Sequence, residues 1–192
     1  MNRNHPKKGS VITVDPIRSV SEIKRIKEML SGRDLVLFTI GINNGLRISD
    51  LLKLKVEDVR ELGVGETVRI REKKTGKSNV LMINGEVYRV LSQYLSESGL
   101  RDTDYLFQSR KGKNKPLTRQ YVHQLMKQWT IGIKGNFGTH SLRKTFGWVQ
   151  RKVFNVSWEV LCKRFGHSHP GITMRYLGIS DEEVSSILMN EI

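Results

Sequence analysis

Near the C-terminus, the stretch Gly166-His167-Ser168-His169-Pro170-Gly171-Ile172-Thr173-Met174-Arg175-Tyr176-Leu177-Gly178 sets a histidine nine residues ahead of a tyrosine, across a turn that Pro170 can open. A tyrosine usually packs or donates a hydrogen bond. It becomes a nucleophile when cationic neighbours or a base offset its ordinary pKa of about 10. Three further groups are of the right type for that. Arg47 stands two residues after Gly45 at a helix break, where a helix N-terminus can add positive potential. His140 and Arg143 are three apart, so a helix carries them on one face. The planar arginine fork bonds two oxygens at once and stays charged. That suits a phosphodiester, whose non-bridging oxygens gain charge in a pentavalent transition state. Singly, each residue is ordinary: a solvated Arg, a surface His-x-x-Arg pair, a half-buried Tyr. Their joint occurrence points to attack on phosphorus.

The charge balance agrees. Thirty-three Lys and Arg against nineteen Asp and Glu leave a net charge of +14 and a pI near 10.1. Such an excess suits a polyanion, because each neutralised phosphate releases condensed counterions. At 192 residues with 38% hydrophobic content the chain reads as one globular domain with a real core. No uncharged apolar run approaches membrane-spanning length, and Met1–Ser10 is basic without the apolar segment of a signal peptide. The single cysteine, Cys162, excludes an internal disulfide and a cysteine-rich zinc site; beside Val160 and Leu161 it reads as a core thiol in a reducing cytoplasm. There is no P-loop, no carboxylate cluster for Mg²⁺ and no zinc spacing, so the expected chemistry uses no metal and no other cofactor.

The elements that must position these groups are mostly helical. Ser19 or Ser21 caps a helix with Ile23, Ile26, Met29 and Leu30 on one face, which Gly32 ends. Asp34 to Asn44 reads as a buried helix broken by Asn44-Gly45, and Ser49 can cap a short one after it. Between about 56 and 83 the period changes to two. Thr67–Arg71 and Asn79–Ile83 form a hairpin around Lys73-Lys74-Thr75-Gly76-Lys77, with a third short strand expected at Val56–Val59. Asn84, Thr118, Thr139 and Ser157 are expected caps of later helices, the third running through Phe154, and Ser180 of a last one. The fold class is therefore mostly α with a small antiparallel β-sheet.

Gly45-Leu46-Arg47-Ile48-Ser49-Asp50-Leu51-Leu52, Thr139-His140-Ser141-Leu142-Arg143-Lys144-Thr145 and Phe165-Gly166-His167-Ser168, with Tyr176 nine on, together resemble the tyrosine recombinase (phage integrase) family. The resemblance runs from about residue 15 to the end and corresponds to that family's catalytic domain. It implies that Arg47 and Arg143 clamp the scissile phosphate and that His140 and His167 hydrogen-bond its oxygens, His140 also helping to move the phenolic proton. Tyr176 would attack phosphorus, leaving a 3′-phosphotyrosyl enzyme and a free 5′-hydroxyl. Lys74, in preference to its neighbour Lys73, would be the general acid, and Asp50 would support the architecture. The implied activity is site-specific DNA recombination, that is, integration, excision or resolution. The alternatives are a recombinase-like DNA-binding module and type IB topoisomerase-like nicking and closing.

Double-stranded DNA is thus the expected partner, with Lys73, Lys77, Arg110, Lys111, Lys113, Lys115, Arg119 and Lys144 as backbone-contacting cations. Residues 1–18 are expected as a basic flexible arm, 19–179 as the catalytic domain and 180–192 as a helix that docks on a neighbouring protomer. That docking implies a monomer without DNA and a tetramer on it, with accessory DNA-bending proteins as possible further partners. Full-length members carry an N-terminal core-binding domain ahead of this one, so the chain is expected to be a fragment or a short stand-alone member.

Overall fold

The structure is a computed structural model and describes residues 13–72, 76–178, 187–189 and 191. Among the described residues, eight α-helices and one hairpin follow in the order α1 (Val20–Met29), α2 (Gly32–Asn44), α3 (Ile48–Leu51), β1 (Thr67–Arg71), β2 (Ser78–Met82), α4 (Gly85–Ser98), α5 (Arg119–Trp129), α6 (Ser141–Lys152), α7 (Trp158–Phe165) and α8 (Pro170–Leu177). Local chemistry starts many of them. Side-chain oxygens of Ser19, Asn84, Thr118 and Ser157 accept hydrogen bonds from Glu22, Val87, Tyr121 and Val160 backbone N–H groups. No helix among the described residues is long and apolar enough to cross a membrane.

Helix α2, apolar from Leu35 to Ile42 apart from Thr39, is the central element, with Val36 to Gly41 all buried. It packs against α4 on one side and α6 on the other, and Phe38 meets Trp129 edge to face at 5.8 Å between ring centroids. The hairpin pairs Thr67 with Met82 and Arg71 with Ser78 in antiparallel register. Its buried face carries Ile70 and Leu81 into the main core. A second, smaller core of Phe146, Leu161, Phe165 and Leu177 joins α6, α7 and α8, and Tyr176 packs against its edge.

Several local expectations need correction. Val56–Val59 is not a strand: Val56–Asp58 is a 3-10 turn, because Asp58 Oδ2 accepts the Lys55 N–H at 2.8 Å and bends the chain away from strand geometry. Only an isolated bridge between Lys55 and Tyr105 remains there, so the sheet has two strands among the described residues. Gly32 begins α2 instead of ending α1, which already stops at Leu30. The cap of α6 is His140, one residue beyond Thr139, and that helix ends at Lys152.

Of the expected N-terminal arm, residues 1–12 lie outside the described residues, whereas residues 13–18 are seated on the body. Ile17 is fully buried and its N–H donates to Thr145 Oγ1 at 2.9 Å. Asp15 Oδ2 accepts the Asn136 N–H at 2.9 Å. The helix expected from Ser180 also lies outside the described residues apart from a 3-10 turn at Ile187–Met189.

Candidate active site

Gly45 sets the corner from which the site is built. It closes α2 in the left-handed region at φ 59°, and a Cβ added there would lie 2.3 Å from Phe146 Cδ1. Both conditions demand glycine. The chain then turns so that Arg47 becomes the cap residue of α3. Arg143, 3% exposed on α6, fastens this corner from below. Its Nη1 donates to Gly45 O at 2.5 Å and its Nη2 to Phe165 O at 2.8 Å, with its guanidinium carbon 4.7 Å from the centre of the Phe165 ring. One buried arginine thus joins the end of α2 to the end of α7. Burial lowers its pKa to about 10, with the nearby Arg47 charge acting in the same direction, so it remains cationic at neutral pH.

The end of α7 in turn places His167. Gly166 closes that helix with φ 67°, and the His167 N–H returns to Cys162 O at 3.0 Å. His167 Nδ1 lies 2.8 Å from the hydroxyl of Thr173, which is fully buried on α8. The tie engages one ring nitrogen and leaves Nε2 for a second partner. Burial first, then Arg143 and Arg47, pushes the His167 pKa below the usual histidine value. The imidazole is therefore neutral at pH 7.

Tyr176 comes beside these groups because α8 approaches α6 at Gly147, where an added Cβ would lie 2.7 Å from Leu177 and 2.8 Å from Phe165. Its ring centroid is 5.4 Å from that of His167 and 5.6 Å from that of Phe165. Its hydroxyl oxygen is buried and has no well-aligned hydrogen-bond partner among the described residues. Burial raises the phenol pKa above its ordinary value, while the charges of Arg143 and then Arg47, with an Arg143 donor near the hydroxyl, oppose that rise. The tyrosine is thus held protonated but surrounded by the cations that would stabilise its anion.

The remaining expected residues divide. Asp50, three after Arg47, is buried, with Oδ1 3.6 Å from Lys53 Nζ. His140 heads α6 one turn before Arg143, with its side chain exposed. Lys73 and Lys74 lie outside the described residues. Lys77 is exposed beside them, and its carbonyl accepts the Glu72 N–H at 3.0 Å. Arg110, Lys111, Lys113, Lys115 and Arg119 are all exposed. The first, second and fourth of these line a cleft of about 570 Å³ together with Arg33 and Tyr121. Lys144, expected to contact the DNA backbone, is turned toward Tyr176. It is 8% exposed, with Nζ 4.9 Å from the centre of the Tyr176 ring, and burial lowers its pKa. A helix places successive residues 100° apart, so the neighbour of Arg143 is turned inward with it.

Four site residues have no mark in the sequence motifs. Glu72 Oε2 pairs with Arg47 Nη1 at 2.5 Å, and Asn79 Nδ2 donates to Glu72 Oε1 at 2.9 Å. Arg164 donates through Nη1 to Asn79 Oδ1 at 2.8 Å and through Nη2 to Asn44 O at 2.5 Å. Thr173 is the fourth. A weaker signal existed for Glu72: period-two alternation puts it on the buried face of Ile70. Thr173 sits one turn before Tyr176, on the same helix face. Nothing local marks Arg164 or Asn79.

The phage integrase family matches residues 12–183. A Bacillus subtilis (strain 168) protein described as a probable integrase/recombinase, YoeC, is 34% identical over 175 residues, covering 88% of this chain and 92% of that protein. A tyrosine recombinase of Pseudothermotoga lettingae is 31% identical over 168 residues, covering 85% of this chain and 56% of that one. Among solved structures, the XerA recombinase superposes with a TM-score of 0.73 at 20% identity, covering 94% of this chain and 66% of that one. The XerH site-specific recombinase bound to palindromic difH substrate gives 0.72 at 20% identity, covering 95% of this chain and 55% of that one. The chain therefore spans nearly all of the Bacillus relative and about half of several others. With the family matched over most of its length and the fold shared, the chain belongs to the phage integrase family.

Proposed function

We propose that this protein cleaves and rejoins double-stranded DNA at specific sites through a covalent bond to Tyr176. The observation that carries the reading is the buried Tyr176 hydroxyl, without an aligned partner, beside His167 and within the electrostatic reach of Arg143 and Arg47. A buried polar group left unsatisfied costs about 1–3 kcal/mol. A phosphate oxygen brought to the two arginines accepts that hydroxyl's hydrogen bond, and this is the position from which phosphorus is attacked.

In the reaction, Tyr176 Oη bonds to phosphorus and the P–O5′ bond breaks. The phenolic proton leaves by way of His140, and Lys74 protonates the departing 5′-oxygen. Arg47, Arg143 and the Nε2 of His167 take up the charge that grows on the non-bridging oxygens, as positioned cations and donors do without solvent reorganisation. The phosphotyrosyl bond replaces one phosphodiester by another, so the 5′-hydroxyl of a second strand reverses the sequence without an external energy source. Asp50 supports the Arg47 corner. The exposed cations from Arg110 to Arg119, with Lys77, hold the duplex by its phosphates. Exchange between two duplexes requires further copies of the chain, and we assign a tetramer on DNA, with residues 180–192 contacting the neighbour. Its place of action is cellular DNA in the cytoplasm.

The test uses nicked suicide duplexes carrying candidate attachment sites. The unmodified chain is expected to form an adduct that survives denaturation, and Tyr176→Phe is expected to form none while keeping its fold and its non-covalent DNA binding. An adduct that persists in Tyr176→Phe removes Tyr176 as the nucleophile.

A further inference from the structure

Three guanidiniums converge on the corner between α2 and α3. Arg143 holds Gly45 O, Arg164 holds Asn44 O, and Arg47 stands two residues further on. One buried and two partly buried cations so close together call for a balancing anion, since an unneutralised charge withdrawn from water is costly. Glu72 supplies one. It leaves the end of β1 toward the interior, with 6% of its side chain exposed, and pairs with Arg47, whose side chain is 16% exposed. Its negative charge also acts favourably on Arg143 and on Arg164. Glu72 therefore sits where the fields of all three arginines overlap. A scissile phosphate drawn to Arg47 and Arg143 must come to that region.

Resting on the reading of this site as a phosphate pocket, we propose that Glu72 is its internal counter-anion, and that an incoming phosphate takes the place of the Glu72 carboxylate on Arg47. Glu72 Oε2 lies against Arg47 Nη1, a position that a phosphate oxygen would also take, so the two compete for one partner. The released carboxylate keeps its hydrogen bond from Asn79 Nδ2, and Asn79 stays tied to Arg164. Release from Arg47 consequently loosens the hairpin at one point.

Inorganic sulfate is the probe, a tetrahedral oxyanion that needs neither DNA nor strand chemistry. Thermal melts of the whole chain are recorded against sulfate at constant ionic strength for the unmodified protein, Glu72→Gln and Glu97→Gln. The last removes the same charge from the exposed face of α4. Glu72→Gln is expected to lower the half-saturating sulfate concentration on the order of ten-fold, equivalent to about 1.4 kcal/mol, with Glu97→Gln unchanged. Equal shifts in both variants reduce the effect to net charge and overturn the proposal. Weaker sulfate binding in Glu72→Gln overturns it too, since Glu72 would then be holding Arg47 in place for the anion.

Should Glu72→Gln not fold, hydrogen exchange of the unmodified protein decides. Saturating sulfate is expected to speed exchange over residues 76–82 relative to α2, and unchanged or slower exchange rejects the idea. Neither readout involves Tyr176 bond formation. A chain without strand cleavage and a chain without anion exchange are thus told apart.

Discussion

At the scale of single residues, one side chain serves two ends. Arg143 is assigned to the phosphate in the proposed reaction, yet two of its donors are already engaged by Gly45 O and Phe165 O. Its position is consequently over-determined by backbone, and a lysine, with a single point charge, cannot bridge both carbonyls. His167 shows the same economy, with Thr173 fixing one nitrogen. Its pKa is lowered in the folded state, so the unfolded chain takes up a proton on this histidine more readily. Stability from this source is complete above the unfolded value of about 6.5 and is lost as pH falls from there through the folded value. Urea unfolding between pH 7.5 and 5 is expected to show a falling unfolding free energy whose slope is reduced in His167→Gln. An unchanged slope would assign the proton uptake to another group. The types and order of Arg47, His140, Arg143, His167 and Tyr176 are legible in the sequence, because each lies in a short motif. Glu72 and Arg164 are not, because their partners lie 25 and 120 residues away along the chain.

At the scale of elements, close approach decides where the tyrosine stands. Helix α8 reaches α6 only because residue 147 lacks a side chain. In Gly147→Ala the added methyl presses on Leu177 and Phe165, an overpacking that costs about 1–3 kcal/mol. Displacement of the neighbouring Tyr176 is expected to cut adduct yield at least ten-fold, while far-ultraviolet circular dichroism stays helical. Full adduct yield from this variant would show that α8 tolerates the shift. Helix caps are readable at Ser19, Asn84, Thr118 and Ser157, since each bond spans only three residues. The 3-10 turn at Val56–Asp58 misleads for a physical reason: Leu54-Lys55-Val56-Glu57 alternates apolar and polar as in a strand, and one local bond to Asp58 outweighs the pattern.

At the scale of the whole molecule, the net charge of +14 is unevenly used. Arg143 and Lys144 are buried, and Arg47 and Arg164 are partly buried and held by contacts within the protein. The series from Arg110 to Arg119 faces solvent. Those four are already committed within the protein, so the exposed set is the one positioned to release counterions from a duplex. Replacing Lys111 and Lys113 by Ala is expected to weaken DNA binding uniformly across sequences. The slope of log K against log salt should shrink by roughly one unit for each phosphate no longer neutralised. An unchanged slope in filter-binding or anisotropy titrations would move the DNA track to another face.

The amino-acid sequence by itself determined the chemistry on offer: a tyrosine, two arginines, two histidines and a basic surface, on a chain of capped helices with one hairpin. Those properties reside in runs of a few residues, where hydrogen bonding and periodicity operate. Tertiary structure alone decided the electrostatic state of the site. It turned Lys144 under the tyrosine ring, brought Glu72 onto Arg47 and set Arg164 across the hairpin. Such meetings depend on how distant elements pack, and burial then multiplies their effect, because charges removed from water act on one another strongly.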